Sequence, residues 1–130
     1  MNSRSDVLEE ARHALEGVCD DVEETVTVLE NRRPTDERAA TQATVFGALA
    51  NEHRVRILEA LREGELCVCE LQVVLDAPQS TVATHLRTLR EAGLIKSRKK
   101  GKWSYYRIAD TAVFELLDIG AAVDVPADDR

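Results

Sequence analysis

At 130 residues the chain is long enough for one compact domain with an added element and too short for two ordinary domains. A 44% hydrophobic fraction suffices for a core, no apolar run approaches a membrane span, and the start at Met1–Asp6 does not read as a secretory signal; a cytoplasmic protein without a membrane partner is expected. Three cysteines in such a chain argue against a disulfide framework and for thiol or metal chemistry, and the net charge of −7 counts against a nucleic-acid partner unless it is unevenly spread.

Residues 6–31 read as one helix. Leu8, Leu15, Val22 and Leu29 recur every seven positions with Ala11, Val18, Cys19 and Val26 beside them, while Asp20, Asp21, Glu23 and Glu24 lie on other faces. Asn31-Arg32-Arg33-Pro34 breaks it. Thr35 is suited to cap a second helix to about Ala50, and Asn51 a third through Arg62, ended by Gly64. A short helix from about Cys67 to Leu75, a turn at Asp76-Ala77-Pro78 and a helix from about Gln79 to Ala92 closed by Gly93 follow the helix-turn-helix pattern. Leu94–Lys99 and Trp103–Ile108 can pair across Lys100-Gly101-Lys102 as a wing. Asp110 or Thr111 caps a last helix through about Ile119. The expected fold is mainly α with a β-hairpin wing, a winged helix-turn-helix. It falls into an acidic helical extension at 1–33, the winged domain at 34–122 and a disordered tail at 123–130.

The charge is strongly polarised. Between Gln79 and Arg107 lie eight basic residues and one acid, Glu91, so this stretch carries +7 and the remainder −14. A cationic face on an acidic body is the footprint of a local phosphate-binding surface. All four lysines fall in that stretch, and an acidic, lysine-poor body suits a high-salt cytoplasm; stability and DNA binding surviving only in dilute buffer would refute this. In the helix from Gln79, Val82, Leu86 and Leu89 form one buried stripe. Gln79, Ser80, Thr81, Thr84, His85, Arg87 and Thr88 lie opposite, where a recognition helix meets base edges. Arg98, Lys99, Lys100 and Lys102 at the wing are placed to hold the flanking phosphates.

The segments ELCVCEL (65–71), PQSTVATHLRTLREAGLI (78–95) and KGKWSYYRI (100–108), preceded by LANEHRVRILEAL (49–61), resemble the ArsR/SmtB family of metal-responsive repressors. The resemblance covers roughly residues 41–119. It implies a homodimer on a two-fold symmetric double-stranded operator, joined largely by the helices at the two ends of that core.

Cys67 and Cys69 are two apart, and inside a regular helix such side chains diverge. Cys67, however, stands at an N-cap with Glu70 three residues on, as in a capping box, so its side chain can turn toward Cys69. The helix start is expected to favour thiolate over thiol. In the family, ELCVC-type segments belong to the arsenite/antimonite- and cadmium/lead-responsive branches. The resemblance implies that Cys67 and Cys69 ligate As(III) or Sb(III), with Cd(II), Pb(II) or Zn(II) as alternatives, and that no cofactor is required. Where arsenic-responsive relatives carry a third cysteine this chain has Gln72. Cys19 is the candidate replacement, donated by either subunit, and is equally well read as a packed core thiol. His13, His53 and His85 show no ligand spacing; His53 reads as a surface or packing residue. Rival readings are a thiol redox switch on the same fold, a thiol enzyme, and a protein-interaction module without DNA binding.

Overall fold

The computed structural model describes residues 4–127. The first three residues of the expected extension and residues 128–130 of the expected tail lie outside it. Within it the chain divides into two compact units, one ending at Ala40 and the other beginning at Thr41.

In the first unit, two helices stand where the heptad pattern suggested one: α1 (Arg4–Leu15) and α2 (Val22–Glu30). The break has a local cause. Asp21 is extended (φ −119°, ψ 95°) and its Oδ1 accepts from the Glu24 amide at 3.0 Å, an N-cap that starts a new helix after Gly17. Arg12 pairs with Glu23 beside the turn and Arg4 with Glu30 at the far end, so the helices run antiparallel. The seven-residue rhythm survives the break because Leu8 and Leu15 from one helix and Val26 and Leu29 from the other line one groove.

Helix α3 (Asp36–Leu49) opens with Thr35 Oγ1 accepting from the Arg38 amide at 3.1 Å; it begins in the first unit and ends in the second. Asn51 caps α4 (Glu52–Ala60), with Oδ1 accepting from the Arg54 amide at 3.2 Å, and a 3₁₀ turn at Leu61–Glu63 extends it to Gly64. Helices α5 (Val68–Leu75) and α6 (Gln79–Glu91) form the helix-turn-helix, and α7 (Ala112–Ala122) closes the domain. Their apolar faces meet in one core, in which Ile57, Leu58, Leu71, Val82, Leu86, Leu89 and Val113 are fully buried. Past α7, residues 123–127 adopt no regular element.

Two Schellman turns set the angles between the elements that matter. After α5, the Ala77 amide donates to Gln72 O at 3.2 Å and the Asp76 amide to Val73 O at 3.3 Å, with Asp76 left-handed (φ 51°, ψ 51°). After α6, the Leu94 amide donates to Leu89 O at 3.0 Å and the Gly93 amide to Arg90 O at 2.9 Å, with Gly93 at φ 77°. The second turn feeds straight into the wing. Strands β2 (Ile95–Lys100) and β3 (Trp103–Ile108) pair from Ile95 opposite Ile108 to Lys100 opposite Trp103. Gly101 is left-handed (φ 64°) and Lys102 is not, the pattern of a type II′ hairpin turn.

One strand lies outside the expectation. β1 (Leu66–Cys67) pairs antiparallel with β3, Leu66 opposite Tyr106 and Cys67 opposite Tyr105, giving a three-stranded sheet in the order β1-β3-β2. The expected two-stranded wing is therefore tied by its inner strand to the residue that starts α5.

Candidate nucleic-acid interface and thiol site

On α6, Gln79, Ser80, Thr84 and Arg87 are exposed, and Thr81 and Thr88 half-buried, on the side away from Val82, Leu86 and Leu89. The Thr84 hydroxyl donates to Ser80 O at 2.9 Å and that of Thr88 to Thr84 O at 3.3 Å. Each hydroxyl proton is thus used within the helix, which leaves the oxygens able to act only as acceptors toward a further partner.

His85 departs from the face the sequence assigned to it. It is half-buried, its Nδ1 lies 3.3 Å from Arg54 Nη1, and its ring centroid is 5.3 Å from that of His53. Burial first, then the charges of Arg54 and His53, hold its pKa below the usual histidine value. Arg54 is itself anchored, donating to Ala48 O at 2.6 Å and Gly47 O at 3.2 Å. His85 and His53 therefore form a packing contact between α4 and α6, the role expected for His53 alone.

The wing cations also divide. Arg98 donates through Nε to Glu65 Oε2 at 2.9 Å and through Nη2 to Glu65 Oε1, and its guanidinium lies 5.8 Å from the Tyr105 ring centroid. The hydrogen bond from Arg98 holds the Glu65 carboxyl below its ordinary range. Arg98 therefore fastens the wing to the segment before β1, a partner within the protein that the sequence did not suggest for it. Lys99, Lys100 and Lys102 are exposed around the hairpin tip, with Lys102 Nζ 5.5 Å from the Trp103 ring centroid.

Cys67 and Cys69 come together as the capping-box argument requires. Cys67 is extended (φ −90°, ψ 173°) at the N-cap of α5, its amide donates to Glu70 Oε1 at 2.9 Å, and its sulfur faces the Glu70 amide. The two sulfurs are 2.9 Å apart, with Cys67 buried and Cys69 exposed. The expectation of a thiolate at the helix start fails for Cys67. The hydrogen bond with Cys69 and burial push its thiol above the ordinary cysteine value, against the opposing pull of the Glu70 amide. Two adjacent sulfurs suit a soft ion, which a hard oxygen-seeking ion would not prefer. A tetrahedral ion with metal–sulfur bonds of about 2.3 Å holds its sulfurs about 3.8 Å apart. Ligation then asks the pair to open by less than about 1 Å, a side-chain adjustment.

Among the described residues, no group of three His, Cys, Asp or Glu is placed to hold a metal ion. Cys19 lies between α1 and α2 in the first unit, half-buried, its Sγ donating to Leu15 O at 3.2 Å. Beside Cys69 a cleft of about 350 Å³ opens between α5, the start of α6 and the wing; Gln72, Gln79, Lys102 and Trp103 line it.

Residues 51–97 match the model of the bacterial regulatory protein, arsR family. The arsenic resistance transcriptional regulator of Pseudomonas putida is 49% identical over 69 residues, which make up 52% of this chain and 54% of that one. The homodimeric winged helix-turn-helix DNA-binding domain of Mycobacterium bovis, a possible ArsR-family regulator, superposes with a TM-score of 0.61 at 33% identity. That match covers 68% of this chain and 84% of that one. The chain belongs to the ArsR family. The crystal structure of an antimony-specific transcriptional repressor, AntR, is similar as well, with a TM-score of 0.60 at 32% identity over 67% of this chain and 79% of that one. These relatives are transcriptional regulators, so the thiol-enzyme reading falls for this ArsR-family chain. Among the described residues no helix is long and apolar enough to cross a membrane.

Proposed function

We propose that the chain is a homodimeric repressor that binds a two-fold symmetric operator and leaves it when a soft ion, arsenite or antimonite foremost, is captured by Cys67 and Cys69. Such a role places it in the cytoplasm. The observation that carries this reading is the 2.9 Å thiol pair on a residue that is at once the N-cap of α5 and a strand partner of the wing. Two α6 helices lie in successive major grooves about 34 Å apart, and the lysines of each wing tip hold the flanking backbone. Ligation spreads the sulfurs and displaces the thiol protons. Because the Cys67 backbone is laddered to Tyr105, a shift there reaches the wing through β3 and the recognition helix through α5. A coupling of about 1–3 kcal/mol, five- to 150-fold in affinity, suffices for release. The arsenic relative, at 49% identity, and the antimony-specific neighbour put the trivalent metalloids first, while cadmium-resistance regulators at 38–42% identity keep cadmium as an alternative inducer.

The test is fluorescence anisotropy of a labelled duplex from upstream of the coding sequence. Reduced protein is titrated with arsenite, antimonite, cadmium, lead and zinc. Wild type is expected to release the duplex with a metalloid, and Cys67→Ser to bind it normally and stay bound. Release of the Cys67→Ser variant at wild-type concentrations would show that the ion acts elsewhere, and release by none of the ions would remove the metal reading. The same close pair favours a second reading, oxidation to a disulfide, for which peroxide must release the duplex in chelator-treated protein.

A further inference from the structure

Trivalent arsenic or antimony commonly takes three thiolates, yet Cys67 and Cys69 supply two and no third ligand stands beside them among the described residues. The position where arsenic-responsive relatives carry another cysteine is Gln72, and Gln72 lines the cleft that opens at Cys69. The missing donor and the open space therefore coincide.

The lining says what fits. Gln72 and Gln79 contribute amides, Ser104 a hydroxyl and Lys102 a cation, while Trp103 forms an apolar wall; no carboxylate is part of it. Its volume of about 350 Å³ equals roughly a dozen waters at about 30 Å³ each, ample for a molecule of several heavy atoms. An ammonium flanked by neutral donors selects a small anion, and a sulfur next to Cys69 completes the coordination.

We propose that the third ligand to the metalloid is the thiolate of a low-molecular-weight thiol bearing a carboxylate, its sulfur on the ion at Cys67 and Cys69 and its carboxylate at Lys102. The proposal rests on the thiol-pair reading of the site. The chemistry is ligand exchange without electron transfer. Three arsenic–oxygen bonds of As(OH)₃ break and three arsenic–sulfur bonds form; each thiol proton leaves with a hydroxide as water, and arsenic stays trivalent. The occupant touches Lys102 at the wing tip and Gln79 at the head of the recognition helix, both assigned to DNA. Inducer and operator then compete for the same side chains, in addition to any movement of the turn.

The full chain is reduced with a phosphine, desalted and titrated with arsenite. The titration is run alone and with 3-mercaptopropionate, uncharged 2-mercaptoethanol or cationic cysteamine, matched in thiolate concentration. Arsenic X-ray absorption counts the sulfur neighbours and calorimetry reads affinity. The expected result is two sulfurs without added thiol and three with 3-mercaptopropionate. Arsenite should bind about tenfold tighter with it than with 2-mercaptoethanol, one charge-assisted contact's worth. Lys102→Gln should erase that preference while keeping arsenite on the thiol pair. Equal affinity with all three thiols overturns the proposal. Three sulfurs with no added thiol also overturns it, and loss of the third in Cys19→Ser would then identify the protein's own donor. If the Cys67→Ser/Cys69→Ser double variant binds arsenite like wild type without added thiol, the underlying site assignment fails instead.

Discussion

Replacing Lys100 by Gln and, separately, Arg98 by Gln separates the two kinds of wing cation, because the variants remove the same formal charge from neighbouring positions on β2. Lys100 is exposed at the hairpin tip, whereas Arg98 is already neutralised by Glu65. Each phosphate contact on duplex DNA releases counterions and adds about 0.9 to the slope of log affinity against log salt. A two-fold dimer has two wings, so Lys100→Gln should make the slope shallower by about 1.8. Between about 50 and 200 mM salt, a fourfold change, wild type should then lose about twelvefold more affinity than the variant. Arg98→Gln should leave the slope within about 0.3 of wild type, since it removes a cation already paired within the protein. The assay is anisotropy of a labelled duplex of arbitrary sequence across that salt range, because phosphate contacts carry no sequence information. An unchanged slope in Lys100→Gln, or an equal drop in both variants, would refute the division of the wing into a clamp and a phosphate hold.

Three further outcomes are expected. Leu86→Ala removes a fully enclosed side chain beneath the recognition helix and should cost about 2–5 kcal/mol in urea unfolding; a loss under about 1 kcal/mol would mean the core is not packed as described. Asp76→Ala should cost about 1 kcal/mol at a left-handed position, whereas Asp76→Gly should not destabilise, and equal losses in the two would contradict that backbone conformation. His85 has its folded pKa depressed, so its contribution to stability is present above the ordinary histidine value and lost as pH falls through the lower folded one. The urea midpoint should therefore fall between pH 7 and 5 more in wild type than in His85→Gln, and parallel profiles would remove the His53–His85–Arg54 contact from the account.

What the sequence made legible was whatever is decided locally. Thr35 and Asn51 cap where short polar side chains before apolar runs should, and Gly93 and Gly101 take the left-handed seats of a helix end and a tight turn. Cys67 and Glu70 announce a capping box three residues apart, which was enough to bring the two thiols together. The division of the first helix was written at Asp21 and Glu24, the same spacing, but a seven-residue rhythm running across both halves concealed it. The remainder depends on pairs far apart in the chain. Nothing near Arg98 points to Glu65, 33 residues earlier, and His85 lies one position before Leu86 at the margin of the buried stripe, where only α4 decides which way it turns. β1 is two residues long, too short for any alternation to register. The Cys67 thiol is raised by a neighbouring sulfur and by enclosure, neither of which the helix-start argument contains.

What the scaffold asks of residue 67 it asks of the backbone: a partner for Tyr105 on one side and the first turn of α5 on the other. The side chain there has only a small buried volume to fill and the Glu70 amide to face. Serine or threonine would serve the cap equally well, so chemical taste at 67 and 69 is separable from architecture. Under the proposed reading, two substitutions at 67 and 69 would change which agent is captured and leave the fold of the domain as it is.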